Sequence, residues 1–213
     1  MNKKITFLLA CAAFLLVQAT CVRPAQSPSG PVLSRFPELS NMPDTLHGFL
    51  SDSTAGIALS DTLLKSALDS AQFASLHFDT GEAQFLALGQ FPFAHGLRAA
   101  LLRTEEFWFG KLSLLIFDPK QQKCLYVAEL SHFYGGDGGQ TASESWLFAG
   151  PAPRLFVKTA DHGFTPPKES DTEPQEYLHE SGQLFAWAAT RFQPVQNPDS
   201  LLFLQKFRMH RAW

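Results

Sequence analysis

The side chains best suited to chemistry in this chain are its histidines and carboxylates, and their order matches no common catalytic motif. The sequence has no Gly-x-Ser-x-Gly elbow, no Ser-x-x-Lys and no His-Glu-x-x-His, the patterns typical of several hydrolase families and zinc proteases. The histidines are scattered without a close pair: His47, His77, His95, His132, His162, His179 and His210. The sequence therefore identifies no catalytic residue, and it predicts no metal and no cofactor.

A glycine-rich segment at residues 135–139 is one place where a ligand could bind. Four glycines there can bring backbone N–H groups close to an anion, and Asp137 could approach a cation. A phosphate loop would end in Lys-Ser/Thr and a calcium loop would carry several oxygen ligands, and residues 135–142 supply neither. We interpret the segment as a flexible strand connection, with His132 and Asp137 as a candidate loop site.

Three consecutive aromatic residues, Phe107, Trp108 and Phe109, form the most pointed local feature. They cannot all face one side of a strand, because successive side chains alternate between its faces. An exposed aromatic ring near a turn can stack on a sugar or anchor a protein partner. The triplet is therefore a candidate binding patch, unless neighbouring elements cover both faces.

The domain that must position these residues has a helical pattern in its first part and strand patterns in the rest. Residues 60–74 predict one helix, with Ser60 as its cap and an apolar face that includes Leu64 and Leu68. From residue 82 the pattern changes to strands joined by short turns, which predicts an antiparallel meander. The predicted strands cover residues 83–91, 97–104, 111–117, 124–133, 146–148, 155–157, 176–180, 183–192 and 201–209.

The predicted fold class is mainly β with a minor helical part. One helix followed by eight or nine antiparallel strands is compatible with a sandwich, an open barrel or a strongly curved sheet. Residues 163–174 are polar and contain prolines, so we interpret them as a loop, and we place the acidic residues from 169 to 176 in solvent.

Composition limits the partners of this domain. The 213-residue chain has 20 acidic and 17 basic residues, a net charge of -3, which argues against binding nucleic acid. No segment after the first 20 residues is long and apolar enough to predict a membrane-spanning helix. Cys124 lies in an apolar run, where a buried and inert thiol is the default.

The N-terminus has the pattern of a secretion signal. Lys3 and Lys4 precede an apolar run from Ile5 to Val17, which is too short to span a bilayer as a helix. Residues 22–31 are rich in Pro, Ser and Gly and resemble an extended tether. The sequence thus predicts a signal peptide at 1–20, a tether at 21–31 and a single β-rich domain at 32–213.

The segment Gln18-Ala19-Thr20-Cys21 resembles the lipobox of bacterial lipoproteins, although Gln18 and Thr20 differ from the residues that family prefers. The resemblance covers only residues 1–31. It implies a lipid on Cys21 and, because Val22 follows the cysteine, an anchor in the outer membrane that faces the periplasm or the cell surface. Cleavage by an ordinary signal peptidase after Ala19 is the alternative.

These observations lead to three hypotheses. The first is a lipid-anchored, non-catalytic β-domain of the cell envelope that binds a protein or a glycan. The second is a periplasmic or surface hydrolase with a dispersed site, which a deep pocket collecting His132, Asp137, Asp161 or His162 would favour. The third is a subunit of a larger envelope assembly, which would present a wide apolar surface.

Overall fold

The computed structural model describes residues 31–40, 44–50, 55–78, 82–136, 138–165, 173–196 and 200–210. The signal, Cys21, the tether up to residue 30 and Asp137 lie outside these residues. The strands are β1 (Thr45–Gly48), β2 (Ile57–Leu59), β3 (Gln84–Pro92), β4 (Arg98–Glu106), β5 (Phe109–Asp118), β6 (Lys123–Gly136), β7 (Gly139–Phe148), β8 (Arg154–Thr165), β9 (Gln175–Ala188) and β10 (Arg191–Pro194). The α-helices are α1 (Asp61–Lys65), α2 (Ser70–Ala74) and α3 (Ser200–Lys206).

The described strands form one antiparallel sheet whose order, from β10 back to β2, is the reverse of the chain order. The outermost strands, β10 and β2, do not pair with each other among the described residues, so the sheet is open. The prediction of a mainly β, antiparallel meander is confirmed. Several strands are longer than predicted, because the turns that join them are shorter than the gaps between the predicted strands.

The sheet divides where β6 and β7 separate. These two strands pair only between residues 132–136 and 139–143. Beyond that point β1, from the beginning of the domain, pairs with residues 145–148 of β7. A segment about 100 residues earlier in the chain therefore completes the sheet at its division.

Three apolar clusters cover most of the sheet. A central cluster joins residues of β3 to β6 with Leu147, Leu155, Trp187 and Phe192, so the two parts of the sheet share one core. A second cluster packs α1, α2 and residues 32–36 against β3 to β6. A third packs α3 and Phe207 against Trp146 and Phe156.

The predicted helix at 60–74 is wrong in extent, because it is two short helices. Ser60 caps α1 by accepting a hydrogen bond from the N–H of Leu63 at 3.3 Å. Asp69 then begins α2 with a reciprocal capping box to Gln72. Because Asp69 and Gln72 supply hydrogen bonds for free N–H groups at a new helix N-terminus, two helices with a break at 66–69 are favoured over one continuous helix.

Two C-terminal predictions are also wrong. Ser181 and Gly182 do not form a turn, because β9 runs without interruption from Gln175 to Ala188. Gly182 is an interior residue of this strand. Glycine is required at that position because a Cβ would come within 2.7 Å of the Phe156 ring. Residues 200–206 form helix α3 rather than the beginning of a strand, because Phe203 and Phe207, one helical turn apart, both contact the buried Phe156.

Candidate functional site

The predicted aromatic triplet lies at the hairpin turn between β4 and β5. Glu106 pairs with Phe109, so only Phe107 and Trp108 form the connection, which is shorter than the gap between the predicted strands 97–104 and 111–117. Phe107 has a φ of 57°, a left-handed conformation that is costly for a bulky side chain and that glycine usually supplies in such turns. Both rings point into solvent, with 83% of Phe107 and 70% of Trp108 exposed.

The third aromatic residue, Phe109, packs away from this pair. Its ring stacks on Tyr134 at 4.9 Å and contacts Phe78 at 5.7 Å. Phe107 and Trp108 meet edge to face at 4.3 Å, an arrangement that favours an aromatic pair. The triplet therefore supplies two exposed rings and one that fixes the base of the turn.

A shallow cavity of about 210 Å³ opens beside the exposed pair. Its lining residues are Leu50, Arg103, Glu105, Phe107, Trp108, Phe109, Gly110 and Phe133. Arg103 and Glu105 form an ion pair at 2.6 Å, and their side chains are mostly shielded from solvent. The cavity thus combines aromatic rings with a fixed donor and acceptor. We call Phe107, Trp108, Arg103, Glu105 and this cavity the aromatic site.

Buried polar contacts hold the turn in place. Glu106 is 1% exposed, accepts a hydrogen bond from the N–H of Phe78 at 3.0 Å and lies 3.1 Å from His77 Nδ1. The Lys111 ammonium donates to the carbonyls of Ser75 and His77, near the end of α2, and lies 4.5 Å from the centre of the Phe78 ring. A cation at the carbonyl end of a helix is favourable, so α2 fixes the strands that carry the turn.

The predicted loop residue His132 lies in a polar cluster whose other members, Glu129 and Ser143, the sequence did not indicate. His132 Nδ1 is 2.5 Å from Glu129 Oε1 and 2.9 Å from Ser143 Oγ. Although burial raises the pKa of Glu129, the hydrogen bond and charge of His132 and the charge of Lys111 outweigh it and leave the pKa below its ordinary value. An ionised Glu129 therefore accepts the Nδ1 hydrogen.

This cluster does not have the geometry of a catalytic triad. In a triad the serine and the acid contact different nitrogens of the histidine, whereas Glu129 and Ser143 both contact Nδ1 of His132. Ser143 is also only 2% exposed. The contacts explain how the β6–β7 corner is held, because His132 and Ser143 are directly opposite each other across these strands.

Asp161 and His162 each contact a residue other than His132. Asp161 accepts a hydrogen bond from Thr141 Oγ1 at 2.7 Å, while His162 Nε2 lies 2.6 Å from Glu176. As neighbours in β8 they point to opposite faces of the sheet. Asp137 lies outside the described residues, so its part in the candidate loop site stays a prediction.

A second buried carboxylate, Glu144, was not predicted to matter and ties together distant parts of the chain. Its Oε2 lies 2.7 Å from His47 Nε2, and its two oxygens accept the backbone N–H of His210 at 2.9 and 2.8 Å. The His47 ring stacks on Trp146 at 4.6 Å. Glu144 thus links β1 to the segment that follows α3, which is a structural role.

Another cavity, of about 360 Å³, lies between α1 and α2. The Lys65 ammonium lies 4.6 Å from the centre of the Phe73 ring there, so a cation already occupies the ring face that a ligand would stack on. Cys124 is buried, and burial raises the pKa of its thiol to about 12. The prediction of an inert Cys124 agrees with this environment, because the reactive species is the thiolate.

A comparison of this chain with known protein families, curated proteins and solved structures found no match. Within the described ranges, no cluster of three or more His, Cys, Asp or Glu residues has a geometry that could hold a metal ion. None of the helices formed by these residues is long and apolar enough to cross a membrane.

Proposed function

We propose that this protein is a lipid-anchored component of the bacterial cell envelope whose β-rich domain binds a glycan without catalysis. The proposed location in the cell envelope depends on residues 1–31, through the signal pattern, the lipobox resemblance and the tether. The binding function depends on the aromatic site. The observation that carries it is the exposure of Phe107 and Trp108 at the rim of a cavity that also contains a charged pair.

The chemistry of the aromatic site suits a sugar. Aromatic rings present an apolar surface against which the C–H faces of a sugar ring can stack. The Arg103 guanidinium supplies donors and the Glu105 carboxylate supplies acceptors for hydroxyl groups. Because these two groups hold each other at 2.6 Å, they are fixed before a ligand arrives, which lowers the entropy cost of binding.

The size of the cavity favours a glycan over a protein partner. A stable protein interface buries roughly 800 Å² on each side, and the exposed apolar surface here is concentrated in two side chains. A cavity of about 210 Å³ is below the usual range of roughly 300–1,000 Å³ for drug-sized ligands. It therefore fits one sugar ring of a longer chain that crosses the turn.

The test uses the full-length protein, purified from membranes in detergent, and a panel of peptidoglycan and lipopolysaccharide oligosaccharides. Trp108→Ala should weaken binding at least tenfold, because it removes one stacking surface. Phe164→Ala is the matched control, since Phe164 is an exposed aromatic residue on β8 and should leave binding unchanged. Equal binding by wild type and Trp108→Ala would contradict the proposed site.

The lipid anchor is tested separately by intact-mass analysis of the same membrane-extracted protein. A diacylglyceryl adduct on Cys21 would establish the lipid anchor. A free N-terminus at Thr20 would show cleavage after Ala19 and remove the anchor, without affecting the test of glycan binding.

A further inference from the structure

Strand β9 has an open edge along half of its length. It pairs with β8 from residue 175 to residue 186, whereas β10 covers its other side only from 185 to 188. Helix α3 lies beside the middle of the strand, where a Cβ on Gly182 would be 3.0 Å from Leu204. Residues 175–181 therefore have β8 on one side and no strand on the other, among the residues that the structure describes.

Two hydrogen bonds further along β9 show which backbone N–H and C=O groups point to the open edge. The carbonyl of Leu184 accepts from the N–H of Val195, on the β10 side, at 2.9 Å. The N–H of Trp187 donates to the carbonyl of Pro153, on the β8 side, at 2.9 Å. Backbone groups of successive residues point to alternate sides of a strand, so the even-numbered residues of β9 point away from β8.

The β8–β9 register has no bulge between residues 175 and 186, so the same alternation reaches the end of the strand. The backbone N–H and C=O groups of Glu176, Leu178 and Glu180 thus point to the open edge. A row of such groups is a template for one more strand, and soluble proteins usually protect it with proline, bulges or a covering segment.

The side chains along the edge are exposed on both faces. Tyr177 is 43% and Leu178 is 55% exposed, and they point to opposite faces of the sheet. Leu178 lies between Glu176 and Glu180 on one face. An added strand would therefore meet an acidic, an apolar and an acidic side chain in turn.

Charge selects among the strands that could pair here. Residues 158–191 contain six acidic and three basic residues, whereas the rest of the chain has 14 of each. A second copy of this edge fits poorly, because antiparallel pairing centred on Leu178 would place Glu176 opposite Glu180, and like charges in that position are destabilising. Glu176 already contacts His162 at 2.6 Å, and Glu180 already pairs with Lys158 at 2.8 Å. Both glutamate side chains are still partly exposed, by 66% and 42%, so a basic strand would find an accessible negative charge at both positions.

We propose that the open edge of β9 at residues 175–181 binds a basic, extended polypeptide segment by strand addition. The segment pairs its backbone with Glu176, Leu178 and Glu180. Lysine or arginine side chains at alternate positions face the two glutamates, and an apolar side chain between them covers Leu178. Main-chain bonds supply affinity and alternate side chains supply specificity in this mode of recognition.

The test measures binding of the full-length protein to the peptide Lys-Thr-Val-Thr-Lys with blocked termini, by fluorescence anisotropy at low salt. Leu178→Pro removes an outward N–H without touching the hydrogen bonds to β8, and it should weaken binding at least tenfold. Leu178→Ala keeps that N–H and should weaken binding only a few-fold. Unchanged binding by Leu178→Pro would overturn the proposal.

Charge reversal tests the predicted partner. Glu176→Lys should weaken binding of the basic peptide and strengthen binding of Glu-Thr-Val-Thr-Glu, whereas Glu82→Lys, at an exposed glutamate far from β9 in sequence, should change neither. A basic peptide methylated on alternate backbone nitrogens separates pairing from charge attraction and remains informative if Leu178→Pro does not fold. Strand addition would be overturned if the peptide bound equally well with its odd-numbered or its even-numbered backbone nitrogens methylated. It would also be overturned if the protein formed a dimer that Leu178→Pro dissociates.

Discussion

Two pairs of neighbouring leucine or aromatic residues show how unevenly this sheet is covered. Leu114 and Leu115 in β5 point to opposite faces and are both completely buried. Tyr177 and Leu178 in β9 also point to opposite faces, and both are exposed. The first pair lies between two apolar clusters, one formed with α1 and α2 and the other with the far part of the sheet.

The strands therefore have two different roles within one sheet. Where both faces are covered, a strand contributes to stability and leaves no surface for recognition. Where neither face is covered, its side chains contribute little to stability and remain available for contacts. The aromatic turn and the open edge of β9 both belong to the second kind of region.

The largest expected effect follows directly from this contrast. Leu115→Ala should lower the free energy of unfolding by about 2–5 kcal/mol, because it leaves a cavity in a closed core. Leu178→Ala should change it by less than about 0.5 kcal/mol, as at other exposed positions. Urea denaturation measures both losses, and a comparable loss for the two variants would show that residues 175–181 are as well covered as β5.

A smaller effect of opposite sign is expected at the aromatic turn. Phe107→Gly should stabilise the protein by roughly 0.5–1 kcal/mol, because relief of a left-handed bulky residue exceeds the entropy cost of glycine. Ala189→Gly, at a turn with the same φ of 57°, is the control for backbone relief alone. Thermal unfolding measures the gain.

The two variants should differ in binding. Phe107→Gly should lose glycan affinity while gaining stability, whereas Ala189→Gly should only gain stability. A loss of glycan affinity in Phe107→Gly alone would support the assignment of the turn to glycan binding. A Phe107→Gly variant that binds glycan as well as wild type would contradict that assignment.

The smallest effect concerns the polar corner between β6 and β7. Since the pKa of Glu129 is below its ordinary value of about 4.5 in the folded protein, its stabilising contribution is present above that value and is lost as the pH falls through the lowered pKa. Glu129→Gln should therefore be less stable than wild type at neutral pH and should approach it in acid. Urea denaturation across this range measures the difference, which should shrink in a His132→Ala background.

The sequence predicted the strands between residues 84 and 133 because their apolar residues alternate between short turns. It did not predict the continuity of β9, since Gly182 in sequence looks like a turn and only the position of the Phe156 ring explains it. Strand alternation predicted only that the aromatic triplet would be divided between two sides. It did not predict the exposed pair, because Phe107 and Trp108 are adjacent residues of a turn and not alternate residues of a strand. The charged pair beside it was not predicted either, because the side chains that line the cavity depend on the register of β4 with β5.

The contacts of Glu144 also determine the order in which the domain can be completed. Its carboxylate binds His47 near one end of the domain and the backbone of His210 near the other. Until residues 203–210 have reached the sheet, Trp146 and Phe156 lack the cover of Phe207, and this carboxylate lacks its backbone donor. Completion of this part of the fold therefore requires both the segment that contains His47 and the segment that contains His210.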